Sequence, residues 1–151
     1  LPMGVTMSSK RISEGFLGKD PKQTFWHGHS FTANPLGCAA ANASLDLLEQ
    51  SPQKYLDFES RHLAHLQKII KDPKIEYPRL TGTIAAFNIK VKGKKGYLSS
   101  VGKIMKDTAL KIGVFIRPLG DVVYLMPPLC ITDEELEKCY FGIQKGLDSL
   151  S

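Results

Sequence analysis

The sequence feature that most constrains the fold is a polar loop that runs directly into a helix start, over residues 26–41. Asn34 is a favourable N-cap, because its side-chain oxygen can accept hydrogen bonds from the free amides of the first turn. Pro35 suits the first helical position, which needs no backbone donor. Residues 37–43 are nearly all small, so the predicted helix over 35–49 can let another backbone approach closely.

The loop before this helix carries groups that can hold an anion. Gly28 offers a flexible turn with a free amide, and Ser30 offers a hydroxyl. A loop of this kind at a helix start can bind a phosphate group. From the residues alone, plain packing of a small-residue helix is the more common explanation, and both interpretations stay open.

Length and composition indicate a compact domain with its own core, because 151 residues can bury a sizeable apolar surface. The sequence has no apolar run of membrane-spanning length and no signal peptide, so we expect no membrane association. It also has no initiator Met, which predicts a piece of a longer chain. Its three cysteines are odd in number and far apart, which argues against disulfides and zinc and favours the cytoplasm.

The formal charge of +5 is mostly scattered along the chain. One small cluster, Lys90 to Lys95, brackets Gly93 and Gly96, which predicts a solvated hairpin tip or loop. A surface for nucleic acid would carry interleaved aromatic side chains, and only Tyr97 is near. We therefore expect no nucleic-acid partner.

The order of predicted elements indicates a small, mainly antiparallel sheet with helices packed on one side. Residues 1–7 are apolar enough for a short buried strand or its exit, and 83–91 alternate like a half-exposed strand. Two apolar runs around residues 118–121 predict a hairpin. The predicted helices begin at Ser8 or Ser9, at Pro35, at Pro52, at Ser99 or Ser100 and at Thr132, with breaks at Asp72-Pro73 and Gly113 and a capping box formed by Thr132 and Glu135.

Two histidines, His62 and His65, lie three residues apart on the second long predicted helix. This spacing can ligate a metal, but no acidic or cysteine partner is evident nearby. We therefore interpret them as a surface or half-buried pair and predict no metal site.

Arg117 lies among apolar residues, next to Pro118. If it is buried, its guanidinium needs an anionic partner, and its planar fork suits a carboxylate in bidentate geometry. The alternative is an edge-strand arginine whose charged end reaches water. The residues alone do not favour either interpretation.

Two motifs in this chain resemble those of class III aminotransferases, which are fold type I enzymes that use pyridoxal 5'-phosphate (PLP). The first, at residues 27–41, reads H-G-x-[ST]-F-x-x-N-P-L-x-C-A-A-A, and the second, at 113–128, reads G-[VI]-[FWL]-[IL]-R-P-x-G-x-x-x-Y-x-M-P-P. The resemblance covers essentially the whole chain. It implies an α/β protein, of which this chain is the α+β-like C-terminal part. Residues 1–50 would end the large PLP-binding domain with an interface helix, and 51–151 would form the C-terminal small domain.

The resemblance also implies roles for individual residues. Ser30, with His29 beside it, would bind the cofactor, the hydroxyl of Ser30 contacting the phosphate across a homodimer interface. Arg117 would bind the substrate carboxylate, and Gly28 and Tyr124 would line the substrate pocket, although a core position explains Tyr124 almost as well. In the family the lysine that binds the cofactor covalently and the acid that pairs with its ring nitrogen both precede this segment. We therefore expect no catalytic residue within this chain and no transamination from it alone.

The His29-Ser30 pair and the sequence I-R-P-L-G are most similar to one branch of the family. Enzymes of that branch act in biotin synthesis and transfer an amino group from S-adenosylmethionine to 8-amino-7-oxononanoate. An ornithine or 4-aminobutyrate aminotransferase is the near alternative. A non-catalytic binding domain of the same fold is the more distant one.

Overall fold

The structure, a computed structural model, describes residues 3–150. The chain divides into two compact units at the junction of Ser51 and Pro52.

The described part of the first unit contains two helices and a short 3₁₀ turn. They are α1 (Lys10–Glu14), the 3₁₀ turn Pro21–Gln23 and α2 (Pro35–Gln50). Helix α2 begins as predicted, because Asn34 Oδ1 accepts hydrogen bonds from the amides of Leu36 at 2.9 Å and Gly37 at 3.2 Å. Ser9 holds the N-cap position of α1 but makes no side-chain cap hydrogen bond.

The buried strand expected over residues 1–7 is not formed at residues 3–7, which are irregular and exposed. Val5 is 80% exposed and Met7 is 90% exposed. A strand needs a neighbour that satisfies its amide and carbonyl groups, and the described part of the first unit contains no strand. Residues 1 and 2 of this prediction lie outside the described part.

The second unit is an antiparallel sheet of three strands with helices packed against it, which confirms the predicted fold class. The sheet order is β1-β2-β3, so each strand pairs with its neighbour in sequence. The elements are α3 (Pro52–Leu56), α4 (Phe58–Ile69), β1 (Ile75–Thr81), β2 (Ile84–Ile89), the 3₁₀ turn Gly96–Leu98, α5 (Val101–Leu110), β3 (Val122–Leu125) and α6 (Asp133–Asp148).

The helix predicted to run from Pro52 to Asp72 is interrupted and ends early. It breaks at Asp57 into α3 and α4, and α4 ends at Ile69. Leu56 is 72% exposed whereas Phe58 is fully buried, so Leu56 does not belong to the buried apolar face that the sequence predicts for this segment.

Strand β1 was not predicted from the sequence. It contains Pro78, which lacks the amide that a ladder needs, and its pairing with β2 is irregular between Glu76 and Arg79. Tyr77, within the irregularity, has a φ of +50°. Because of these features, β1 lacks the regular alternation of apolar residues by which a strand is recognised in a sequence. Strand β2 lies within the predicted range and turns back from β1 at Gly82.

The predicted hairpin around residues 118–121 is only partly correct. Its second run forms β3, but β3 pairs with β2, as in the register of Phe87 with Val123. The first run, 114–118, forms no strand, and the next residue, Leu119, makes only an isolated bridge to Val122. Pro118 has no amide to donate, which limits pairing on that side. Val114 and Ile116 are still buried.

The core of the second unit lies between the sheet and helices α4, α5 and α6. Helix α6 buries one stripe of side chains, as predicted: Leu136, Tyr140, Ile143 and Leu147. The capping box is also confirmed, because the amide of Glu135 donates to Thr132 Oγ1 while Glu135 Oε2 accepts from the amide of Thr132. The fully buried side chains that join this stripe include Phe58, Phe87, Met105 and Val123.

Helix α5 ends as the sequence predicts. Gly113 has a φ of +78°, which is typical of a glycine after a helix end. Its amide donates to the Leu110 carbonyl at 2.9 Å, and the amide of Val114 donates to the Ala109 carbonyl at 3.1 Å. Among residues 3–150, no helix is both long and apolar enough to cross a bilayer.

Candidate functional site

The loop that carries Ser30 is a closed turn held together by its own backbone and side chains. The amide of His29 donates to Thr32 Oγ1 at 3.0 Å, and the amide of Thr32 donates back to the His29 carbonyl at 3.0 Å. The amide of Phe31 donates to His29 Nδ1 at 3.1 Å. Ala33 then adopts a φ of +54° before the cap at Asn34. His29 therefore uses Nδ1 to hold the turn.

Ser30 lies at the exposed tip of this turn. Its hydroxyl has no hydrogen-bond partner among the described residues of the chain, so it is available to an external ligand. The backbone at Gly28 is also open, since a Cβ placed there would meet no atom within 4 Å. The two positions that sequence reasoning selected for an anion are thus accessible.

The first amides of α2 contribute less to anion binding than the sequence suggested. The side chain of Asn34 already accepts hydrogen bonds from the amides of Leu36 and Gly37. A phosphate at this loop would therefore depend mainly on donors of the turn itself, such as the hydroxyl of Ser30.

A cleft of about 750 Å³ lies within the first unit, and sequence reasoning missed it. Its lining includes rings spaced two residues apart, at Phe25, His27, His29 and Phe31. Neighbouring rings along this series are in contact or close to it, with centroids 5.4 Å apart for Phe25 and His27. The alternation of rings over residues 25–31 was the signal that could have revealed the cleft. Gly28 and Ser30 are not among its lining residues.

Arg117 is exposed, and no described residue forms a hydrogen bond or an ion pair with it. Of the two interpretations left open by the sequence, the guanidinium that reaches water is the one observed. It is not on an edge strand, however, because residues 114–118 are irregular. Its guanidinium is free to bind an external anion.

Arg117 lines a polar cleft of about 370 Å³ beside helix α5. The charged residues of this cleft are Arg117, Lys103, Lys106 and Asp107, that is, three cations and one carboxylate. Lys103 pairs with Asp107 one turn away, and this hydrogen bond lowers the pKa of the Asp107 carboxyl. The remaining charge of the cleft is positive, which favours an anionic ligand.

Tyr124 is half-buried on β3, opposite Ala86 of β2. Its neighbours Val123 and Leu125 are buried, so the side chain of Tyr124 lies on the other face of the strand. Tyr124 does not line the cleft of Arg117. The structure thus separates these two predicted substrate contacts within the second unit, while Gly28, His29 and Ser30 belong to the first unit.

His62 is fully buried, contrary to the expected surface or half-buried pair, whereas His65 is half-buried as expected. Its ring lies between two oxygens, the Tyr140 hydroxyl at 2.8 Å from Nδ1 and the Thr83 carbonyl at 3.1 Å from Nε2. Burial lowers the pKa of His62, although the hydrogen bond to Thr83 partly opposes this. No metal-ligating cluster exists among the described residues. The helical spacing of His62 with Phe58 and Leu66 was the overlooked signal.

Comparison with known proteins gives a consistent family. The sequence profile of "Aminotransferase class-III" matches residues 1–147. An adenosylmethionine-8-amino-7-oxononanoate aminotransferase of Synechococcus elongatus is 44% identical over 99% of this chain. The alignment covers 35% of that relative, so the chain spans about a third of the length of the curated relatives that it matches.

Solved structures agree with this result. The crystal structure of the adenosylmethionine-8-amino-7-oxononanoate aminotransferase of Methanocaldococcus jannaschii matches 91% of this chain and 34% of its own, at 27% identity and a TM-score of 0.76. A PLP-bound amine transaminase of an uncultivated Pseudomonas species matches 94% of this chain and 34% of its own, at 24% identity and a TM-score of 0.80. The second likeness concerns the fold alone.

Proposed function

The chain belongs to the class-III aminotransferase family, and from this premise we propose that it is the C-terminal part of a PLP-dependent aminotransferase of biotin biosynthesis. The complete enzyme would transfer an amino group from S-adenosylmethionine to 8-amino-7-oxononanoate, giving 7,8-diaminononanoate. The 44% identity over nearly the whole chain to a relative named for these compounds supports this choice. It favours this reaction over the ornithine and 4-aminobutyrate alternatives.

The observation that carries the proposal is that the charge of Arg117 is accessible and is unpaired among residues 3–150. Its guanidinium is exposed, has no partner among the described residues and lies in a cleft with an excess of positive charge. A guanidinium of this kind suits bidentate binding of a carboxylate. We assign it to the carboxylate of 8-amino-7-oxononanoate, at the end of the acceptor remote from the reacting carbonyl.

The free hydroxyl of Ser30 fits a phosphate group. In the proposed enzyme this hydroxyl donates a hydrogen bond to the phosphate of PLP, and the open backbone at Gly28 leaves room for the ligands. The occupied Nδ1 of His29 supports a different role for that residue, namely holding the turn that presents Ser30. PLP, when bound, supplies the chemistry that carries an amino group between two substrates.

The proposed enzyme is a cytoplasmic homodimer. Residues 1–50 would end the large domain and include the interface helix, and 51–151 would form the small domain. Several large apolar side chains of the first unit are exposed, including Trp26, Phe31, Leu36 and Leu47. Exposed apolar surface of this extent favours coverage by further protein. Ser30 would then contact the cofactor of the other subunit.

The decisive experiment is a product assay with the full-length protein. Purified enzyme with PLP is given S-adenosylmethionine and 8-amino-7-oxononanoate, and 7,8-diaminononanoate is measured by mass spectrometry. Parallel reactions replace this pair with ornithine or 4-aminobutyrate as donor and 2-oxoglutarate as acceptor. We expect product only from the first pair. Turnover only in the parallel reactions would instead assign the chain to another class III aminotransferase.

A further inference from the structure

We propose that Asp121 is a positioning residue for Arg117, because it fixes the turn at residues 119–122, which closely follows Arg117, to the rest of the second unit. The inference rests on the proposed function in one respect, the role of Arg117 in binding a carboxylate substrate. Asp121 itself does not line the cleft of Arg117. It would therefore act only through the placement of the arginine.

Asp121 connects this turn to two other elements. Its side chain is buried, with only 5% of the residue exposed, and Oδ2 accepts a hydrogen bond from the amide of Gly96 at 2.8 Å. Its backbone carbonyl accepts from the amide of Ile89, at the end of β2, also at 2.8 Å. One residue thus ties the turn to the sheet and to the loop that precedes α5.

Close backbone packing shows that the turn fits tightly in this place. Gly120 has a φ of +64°, and a Cβ built on it would overlap the carbonyl oxygen of Gly96. On the opposite side, a Cβ on Gly102 of α5 would overlap the carbonyl oxygen of Gly120 and lie 2.9 Å from Pro118 Cβ. Only glycine permits these approaches. The backbone next to Arg117 is therefore held between the loop and the helix.

The position of the guanidinium depends on this backbone. No described side chain holds Arg117 by a hydrogen bond or an ion pair, so the guanidinium is placed only by the segment from which it projects. A small shift of the turn would move it relative to a bound substrate. Misplacement of a binding group by about 1 Å can cost up to a hundredfold in rate.

The second carboxylate oxygen of Asp121 supports a specific role for this residue. Oδ1 is buried and has no hydrogen-bond partner among residues 3–150. An unpaired buried acceptor destabilises a folded protein unless something compensates for it. A buried group of this kind in a native structure calls for a functional or structural reason. The hydrogen bond that Oδ2 accepts from the Gly96 amide is a reason for burying this carboxylate despite the cost at Oδ1.

The test compares Asp121→Ala and Asp121→Asn in the full-length protein with its cofactor. For Asp121→Ala we expect the KM for 8-amino-7-oxononanoate to rise roughly tenfold, within the hundredfold limit of such misplacement, while the donor half-reaction keeps its rate. Asp121→Asn should recover most of the loss, because its amide oxygen can still accept from Gly96. If Asp121→Ala does not fold, Asp121→Ser, which keeps a shorter acceptor, takes its place.

A double-mutant cycle separates positioning from general destabilisation. If Asp121 acts only through Arg117, the variant Arg117→Ala/Asp121→Ala should be no worse in acceptor KM than Arg117→Ala alone. The matched control is Ile143→Val, a change in the buried stripe of α6, which should lower thermal stability without raising the acceptor KM.

The outcomes distinguish this inference from the function on which it rests. If Arg117→Ala raises the acceptor KM and Asp121→Ala does not, or if the two effects add in the double variant, the positioning role is wrong and the proposed function stands. If Arg117→Ala leaves the acceptor KM unchanged, the carboxylate role of Arg117 and the positioning role of Asp121 are both wrong, whereas the reaction itself is decided separately by the product assay.

Discussion

His62 Nδ1 accepts a hydrogen bond from the hydroxyl of Tyr140 at 2.8 Å, and this bond joins α4 to α6 inside the core. The other ring nitrogen, Nε2, faces the carbonyl of Thr83 in the turn between β1 and β2. A carbonyl can only accept, so Nε2 carries the proton of the neutral ring. One buried imidazole therefore links two helices and the sheet.

The pH dependence of stability should reflect this burial. Burial lowers the pKa of His62 from its ordinary value of 6.5. The unfolded chain therefore binds a proton more readily than the folded chain as the pH falls below that value. We expect the midpoint of thermal unfolding to decrease as the pH falls from about 6.5 towards the lowered pKa of His62, and to be insensitive to His62 above it.

His65 is the necessary control for this experiment. Burial also lowers the pKa of His65, with a smaller contribution from the charge of Lys68. The variant His65→Gln removes its titration and keeps a polar side chain, so the remaining slope between pH 5 and 6.5, measured by scanning calorimetry, belongs to other groups. An unchanged slope after a further His62→Gln substitution would contradict the assignment to His62.

Tyr140→Phe should destabilise the protein by leaving the acceptor Nδ1 of His62 without its partner. The expected loss in free energy of unfolding is about 1–3 kcal/mol, the usual cost of an unsatisfied buried polar group. The free energy of unfolding of each variant is measured by urea denaturation. The matched control is Tyr77→Phe, because Tyr77 is 72% exposed, and its effect should be close to zero. A loss of equal size in both variants would show that the buried hydrogen bond contributes little.

Local chemistry explains which elements the sequence predicts well. Asn34 and Pro35 define the start of α2, and the reciprocal bonds of Thr132 and Glu135 define the start of α6, because caps depend on residues a few positions apart. Strand β1 depends instead on a partner, β2, and its own residues include Pro78. Pairing of this kind is a property of the assembled sheet, so the sequence of one strand did not reveal it.

The candidate site shows the same difference between features set by local sequence and features set by distant residues. The motifs select Ser30 and Arg117, and the structure shows that both side chains are accessible. The sequence did not reveal that Arg117 lies in irregular backbone fixed by Asp121, because the bond to Gly96 joins residues 25 positions apart. The burial of His62 was missed for a related reason, since its two partners come from other elements.

Ser30→Ala should weaken retention of PLP in the full-length protein more than it slows the reaction. A hydrogen bond to a charged group contributes about 1.5–3 kcal/mol, so the affinity should fall roughly tenfold to hundredfold. The affinity is measured by titrating the apoenzyme with PLP and monitoring the absorbance. Ser30→Thr keeps the hydroxyl and should retain most of the affinity, and Ser60→Ala, at an exposed position of α4 in the second unit, is the neutral control. Equal affinities for Ser30→Ala and the wild type would remove Ser30 from the cofactor site.

The 151-residue chain by itself should form no specific covalent adduct with PLP. In the proposed enzyme the lysine that binds the cofactor lies outside these residues, and the lysines whose side chains the structure describes are exposed or half-buried. After incubation with PLP and reduction with borohydride, peptide mapping should find only scattered, substoichiometric labelling. The full-length protein treated in parallel should carry one label per subunit. A stoichiometric label on a single lysine of the chain would overturn this prediction.

Arg117→Ala should impair the acceptor half-reaction selectively. Losing one side of a desolvated charge pair costs about 2–5 kcal/mol, and we expect the lower end because Arg117 is exposed before substrate binds. A loss of about 2 kcal/mol corresponds to roughly thirtyfold weaker binding of 8-amino-7-oxononanoate. Single-turnover measurements of the donor and acceptor halves separate the two effects.

Two further variants make the assignment of Arg117 specific. Arg117→Lys should recover only part of the acceptor binding, because a point charge cannot form the two parallel hydrogen bonds of a guanidinium. Arg79→Ala is the matched control, since Arg79 is an exposed arginine of β1 that bonds within the sheet, to Asn88, and should leave both half-reactions unchanged. If Arg117→Ala reduced the donor half as far as the acceptor half, Arg117 would be a general structural residue. Its assignment to the carboxylate would then be wrong.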